Sequence, residues 1–302
     1  MTMSQGSSHA LKPPKARSQF SDTLRALRRN RLAMIGLVII ILLVLAAIFG
    51  PYLSRYGPND IEMKIRLQPP SLEHLFGTDD FGRDVLSRVL SGAAVSLKVG
   101  VIAVSISLVL GTSLGAISGY YGGWVDETMM RLMDVLFAFP AILLAIAIMA
   151  ALGPGVTNAM IAIGIVYTPI FARITRGSVL TIREEVFVTV AKSIGSRDIR
   201  IISVHIFPNA LPPIIVETTL SLAFAILAEA ALSFLGLGTQ PPDPSWGRML
   251  SESRGYIQEA PWLGIFPGLA IMFTVMGFNF LGDGLRDALD PRLKQVLEPG
   301  KH

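Results

Sequence analysis

Six stretches of the chain are apolar over lengths that soluble proteins rarely sustain: residues 32–49, 99–117, 132–150, 159–171, 212–235 and 263–281. About 20 apolar residues in a helix cross a hydrocarbon core of about 30 Å, so these stretches predict an all-α integral membrane protein with six transmembrane helices. The first is eighteen residues without a charge, closed by Gly50 and Pro51. A cleaved signal peptide would have a shorter apolar region nearer the N-terminus, so this one is read as a span. The fourth is short and carries Pro169, which predicts a kink.

Between the fourth and fifth spans the pattern changes. Residues 184–209, EEVFVTVAKSIGSRDIRIISVHIFPN, are polar yet periodic. Phe187, Val190, Ala191 and Ile194 recur at i, i+3, i+4 and i+7, which gathers them on one helix face, opposite Glu185, Thr189, Lys192 and Ser193. Gly195 is expected to stop this helix in a conformation that favours glycine. Ser196 is a suitable N-cap for a second short helix, with Asp198 in its first turn and Ile199, Ile202 and Ile206 on its apolar side until Pro208 ends it. Helices this short and charged do not span. Their apolar face suits two occupants equally, lipid headgroups or a soluble partner.

Composition agrees with the pattern. The chain has 302 residues, 51% hydrophobic and only 16% charged, against roughly 25% charged in soluble domains. The absence of cysteine excludes disulfides and thiolate metal sites. His9, His74, His205 and His302 have no metal-ligand spacing. The net charge of +4 is not arranged as a nucleic-acid-binding face, so no nucleic acid partner is expected. It is distributed instead as membrane orientation requires. With both termini cytoplasmic, eighteen Lys and Arg flank the spans on that side and seven on the other, besides Lys98 at the edge of the second span. Trp124 and Trp262 stand where aromatic rings favour the membrane interface.

Two features lie within the spans. Gly111, Gly115 and Gly119 are four apart, a stripe that lets two helix backbones approach. Lys98, Arg131, Asp134, Arg173, Glu217 and Glu229 are ionisable groups within or at the edges of spans, which in lipid calls for a bundle interior or a wet cavity. Arg131 and Asp134 are spaced to pair along one face. Glu217 and Glu229 are about 120° apart on a helix and need not share a partner. Asp134, Glu217 and Glu229 are therefore the intramembrane polar candidates. Coupling to an ion gradient through Glu217 or Glu229, as in a secondary transporter, and a membrane scaffold without a transport path are the competing classes. No GxxxxGK[ST] phosphate-binding loop occurs, so any use of ATP needs another polypeptide.

The spacing of Ala191, Gly195 and Pro208 resembles the EAA-x3-G-x9-I-x-L-P loop of permease subunits in bacterial ABC importers. Thr189 and Val190 replace the leading Glu and Ala, and His205 and Phe207 stand at the Ile and Leu positions. FGTDDFGRDVLSRVLSGAAVSLKVG (76–100), GYYGG (119–123), SFLGLGTQPPDPSWG (233–247) and FNFLGDGLRDALDPRLK (278–294) are similar to the C-type permease of peptide importers, a group that includes dipeptide, oligopeptide, glutathione and nickel systems. GTDDFGRD and GDGLRDALDP also read as turns and helix caps with no contact to cargo. The resemblance covers about residues 29–294.

It implies a type I ABC importer permease fold in the bacterial inner membrane. A second, nonidentical permease, two ATPase subunits and an extracytoplasmic substrate-binding protein would be its partners beside membrane lipid. ATP and Mg would sit on the ATPases, with no cofactor, catalytic residue or metal on this chain. Phe187, Val190, Ala191, Lys192, Ile194, Gly195, Ser196 and Arg197 would form the coupling helix that docks on an ATPase. The expected organisation is a cytoplasmic tail over 1–31, the first span with an extracytoplasmic segment over 32–95, a five-helix core over 96–284 with the coupling helix at 184–208, and a cytoplasmic tail over 285–302.

Overall fold

A computed structural model describes residues 19–289. The remaining residues of the two expected tails lie outside the described residues. The helices are α1 (Gln19–Arg29), α2 (Arg31–Leu53), α3 (Val85–Tyr121), α4 (Gly123–Phe137), α5 (Ala141–Leu152), α6 (Val156–Arg183), α7 (Val186–Ser193), α8 (Asp198–Arg200), α9 (Phe207–Phe234), α10 (Trp246–Ser253) and α11 (Trp262–Leu289). No β-strand longer than an isolated bridge occurs among the described residues. Among the described residues, five helical stretches are long and apolar enough to cross a membrane, and a bent pair makes up to six.

That pair corrects the third expected span. α4 and α5 meet at a bend of 93°. Pro140 lies at the N-cap of α5, and the residue before a proline is driven out of helical conformation, so the run breaks although its hydropathy is continuous. Pro169 does not interrupt the fourth span. α6 runs unbroken from Val156 to Arg183 with Pro169 buried inside it, and the Thr168 hydroxyl donates to the Gly164 carbonyl 2.8 Å away. α3 begins at Val85, so the expected boundary between residues 95 and 96 falls within a helix.

α3 and α6 cross at the centre of the bundle along the glycine stripe. A Cβ on Gly111 would stand 2.5 Å from Phe171 Cβ, and one on Gly115 would stand 2.3 Å from the Ala172 carbonyl oxygen. The stripe is thus a helix contact, as its spacing predicts. α9 packs on both helices, and α2 and α11 pack beside them, with Ala33, Gly36, Gly277 and Gly284 in close approach.

Successive spans put α1, the turn at Gly122, α7, α8 and the end of α11 at one end of the bundle. Residues 54–84, the turn from Gly153 to Gly155 and residues 235–261 lie at the other. At this second end the GTDDFGRD motif folds on itself. Asp79 accepts from the Phe81 and Arg83 amides, each at 2.9 Å, and pairs with Arg83 Nε at 2.6 Å. Asp84 caps α3 through the Ser87 amide at 2.8 Å and pairs with His74 at 2.9 Å. Arg83 and the buried Arg88 both reach Glu252 of α10, at 3.5 and 3.3 Å. Trp262 is tied down by a bond from Nε1 to the Thr78 carbonyl at 3.2 Å, whereas Trp124 is exposed. The motif locks loop to loop, the structural reading of its sequence.

Burial, with Asp79 close by, raises the Asp80 carboxyl above its ordinary range in this knot, and Arg83 only partly offsets it. A carboxyl whose pKa is raised on folding binds protons better folded than unfolded, so stability is greatest below the unfolded value of about 3.9 and falls as pH rises through the folded value. Asp80→Asn should therefore raise the melting temperature at neutral pH, with the gain shrinking as pH approaches 4. Thermal unfolding of the two proteins across that range checks this, and a gain independent of pH would refute it.

Candidate docking surface and intramembrane polar sites

α7 ends as its sequence predicts. The Gly195 amide bonds to the Lys192 carbonyl at 3.0 Å and the Ser196 amide to the Ala191 carbonyl at 3.1 Å, a Schellman closure that requires the left-handed φ of +78° found at Gly195. Ser196 is used in this closure, and Arg197, not Ser196, occupies the N-cap of α8. Nor does Pro208 end the second helix. α8 passes through a π-helical stretch, Ile201–Ile206, directly into α9, and Pro208 takes a position in the first turn of α9.

The expected apolar stripe of α7 divides in two. Ala191 is buried, with Val188, against Ala116, Tyr120, Val179, Ile201 and Ile206 at the ends of α3, α6 and the π-helical stretch. Phe187, Val190 and Ile194 point away from the bundle, and Val186 and Ile199 join them, with Val186, Ile194 and Ile199 each more than three-quarters exposed. Ala191 therefore seats the helix, and the outward face is Val186, Phe187, Val190, Ile194 and Ile199. Polar contacts hold it in place. Tyr120 donates to Asp198 at 2.7 Å, the Lys192 ammonium lies 5.1 Å from the Tyr120 ring centre, and Arg183 donates to the Gly119 carbonyl at 2.9 Å. These partners are 60 to 80 residues apart, and no local spacing announces them. Lys192 and Arg197 are exposed beside the apolar face, and Gly195 lies at its edge.

The three intramembrane candidates occupy separate places. Glu229 is fully buried and is held by hydroxyls of Ser96 at 3.2 Å and Ser233 at 2.7 Å, with Thr239 at 3.5 Å. It joins α3, α9 and the following loop. Glu217 is half-buried and accepts from Ser221 at 2.9 Å. Asp134 does not pair with Arg131. It accepts from Arg173 of α6 at 2.7 Å, while Arg131 turns back to Glu127 at 2.6 Å. α4 lies beside α6, which offers Asp134 a partner across the helices in place of its neighbour in sequence. Two turns earlier on α4, Asp126 binds Arg176 of α6 through both oxygens, at 2.5 and 2.6 Å.

Residues 111–295 match the family described as binding-protein-dependent transport system inner membrane component. Residues 18–70 match the N-terminal transmembrane domain of oligopeptide transport permease C. The chain belongs to this permease family. The permease is 53% identical to the dipeptide transport system permease protein DppC of Alkalihalophilus pseudofirmus over 277 residues, 92% of this chain and 91% of that protein. It is 47% identical to the glutathione transport system permease protein GsiD of Escherichia coli over 285 residues, 94% of each. Among solved structures, the inward-facing MetNI methionine ABC transporter aligns with a TM-score of 0.56 at 17% identity, over 67% of the permease and 96% of that chain. At that identity the likeness establishes the fold, the helical permease architecture of ABC transporters.

Proposed function

We propose that this permease forms half of the translocation path of an ATP-driven importer of short peptides. The name of its dipeptide-transport relative supports that cargo, and the outward apolar face of α7 carries the coupling. Such a face, outside the spans and rigidly seated from behind, is what a soluble partner can bury. In this reading the face docks on one of two ATPase subunits, which hold ATP and Mg and perform the hydrolysis. A second, nonidentical permease completes the path, and an extracytoplasmic binding protein delivers the peptide. The excess of basic residues on their side of the spans supports a cytoplasmic position for α7 and both termini. ATP closure of the ATPases then moves the docked segment and shifts the permeases between inward-facing and outward-facing states, which each ligand must bind unequally.

Photoreactive crosslinkers at the exposed Thr189 and Lys192 test the coupling. Capture of the ATPase is the expected result, and capture of lipid alone would replace this reading by an interfacial helix. Glutathione, itself a short peptide, is a second cargo, favoured by the identity with the Escherichia coli relative. Competition between dialanine and glutathione for ATP-dependent uptake into proteoliposomes separates the two.

A further inference from the structure

Asp134 and Arg173 sit at a depth where charge is costly. Gly111 packs on Phe171 and Ala172, and Gly115 on the turn from Ala172 to Arg176, so Arg173 lies level with the uncharged stretch 99–117 of α3. Yet the two side chains are 43% and 62% exposed, Arg173 first. Charge facing lipid within a span is costly, so this face turns to water or to protein.

The surroundings distinguish those two. On one side of the pair, α5, α6 and α9 form an apolar groove of about 250 Å³, lined by Ala145, Ile163, Tyr167, Phe224 and Leu227. On the other, a recess of about 410 Å³ between α4 and α6 is lined by Asp126, Glu127, Arg131, Asp134 and Arg176, with Met130. It lies towards the end of the bundle that carries α7. Along α6, Arg173 stands between Tyr167 of the groove and Arg176 of the recess, and Asp134 lines the recess. The Arg173 guanidinium also lies over the Phe137 ring, 4.2 Å from its centre. The neighbouring pair, Asp126 with Arg176, is closed by two bonds and by Ser118. Arg173 makes one side-chain bond among the described residues, so most of its five N–H donors are free to meet a ligand.

We propose that Asp134 and Arg173 are a transfer site for the charged termini of a zwitterionic peptide leaving the apolar groove. The peptide carboxylate takes the free donors of Arg173, and its ammonium takes the open oxygen of Asp134. This rests on the peptide-importer reading above. A guanidinium fork matches a carboxylate, and two opposite charges side by side match a chain with opposite ends without selecting its side chains.

The chain has no cysteine, so a single Met130→Cys reports on the recess. In the complete transporter held in lipid nanodiscs, this thiol should react with the membrane-impermeant anion methanethiosulfonate ethylsulfonate. Saturating dialanine should slow that reaction severalfold. Adding Arg173→Gln should remove the protection and lower ATP-driven dialanine uptake in proteoliposomes at least about tenfold, with Arg173→Lys recovering part of it. An unreactive thiol would mean that the second permease covers the pair, and protection that survives Arg173→Gln would place the peptide elsewhere. Either result overturns the site. If the unsubstituted transporter takes up no dialanine, the cargo reading fails first; if it does and Arg173→Gln transports normally, only this inference fails.

Discussion

Replacing Gly115 by leucine is expected to part the two central helices and leave little folded permease. The Cβ alone would stand 2.3 Å from the Ala172 carbonyl oxygen and 2.9 Å from Thr175 Cβ. The first of these atoms is backbone, so no rotamer relieves the clash and α3 must move away from α6. Overpacking a core costs about 1–3 kcal/mol and sometimes more, a large share of a total stability of about 5–15 kcal/mol. In a membrane the loss is compounded, because close packing and not water exclusion holds helices together. The control is Val109→Leu on the same helix, where the side chain is 62% exposed. Melting of the purified proteins in detergent should show a large drop for Gly115→Leu and none for the control. Equal melting temperatures would mean that the helices do not cross at Gly115.

Charging the outward face of α7 is expected to release the ATPase without unfolding the permease. Phe187 and Ile194 are exposed, so aspartate at both positions meets water in the free subunit. Burying each native side chain contributes about 1.5–3 kcal/mol, so the double variant should bind the ATPase at least about a hundredfold more weakly. Co-purification measures this, with melting temperature as the check on folding. Val188→Asp should behave differently, since Val188 is fully buried behind the face and its replacement should loosen α7 itself. Undiminished capture of ATPase by the Phe187→Asp, Ile194→Asp protein would move docking away from α7.

The legible parts of this fold are those governed by one-dimensional rules. Lipid demands long apolar runs, and five of the six expected spans appear as helices through them. Helix ends follow similar logic, as at Gly195 and at the Asp84 cap of α3. The bend at Pro140 escaped because hydropathy has no direction: residues 132–150 stay apolar on both sides of a right-angled turn. In α7, apolar residues occupy neighbouring positions from Val186 to Val188 as well as Val190 and Ala191, so periodicity identifies a helix but not which apolar side faces inward. Charged pairs were the least legible. Arg131 and Asp134 satisfy a local spacing rule, yet the partner that Asp134 takes is 39 residues away on α6.

The passage from α8 through the π-helical stretch into α9 has a mechanical meaning. Asp198 and Phe234 are the ends of one helical rod of 37 residues. At 1.5 Å per residue it is about 55 Å long, so a tilt of about 10° sweeps one end through roughly 10 Å. One end is anchored beside the outward face of α7, and the other carries Glu229 and Ser233 at the junction with α3 and the far loop. In the proposed coupling, a push at the first end would reach the far end of the bundle as a tilt, except where Pro208, Pro212 and Pro213 lack the N–H bonds that stiffen a helix. α4 and α5 are the opposite arrangement, two short arms set at a right angle across Pro140. The molecule sets a long rod and a sharp corner against the same central helix, α6.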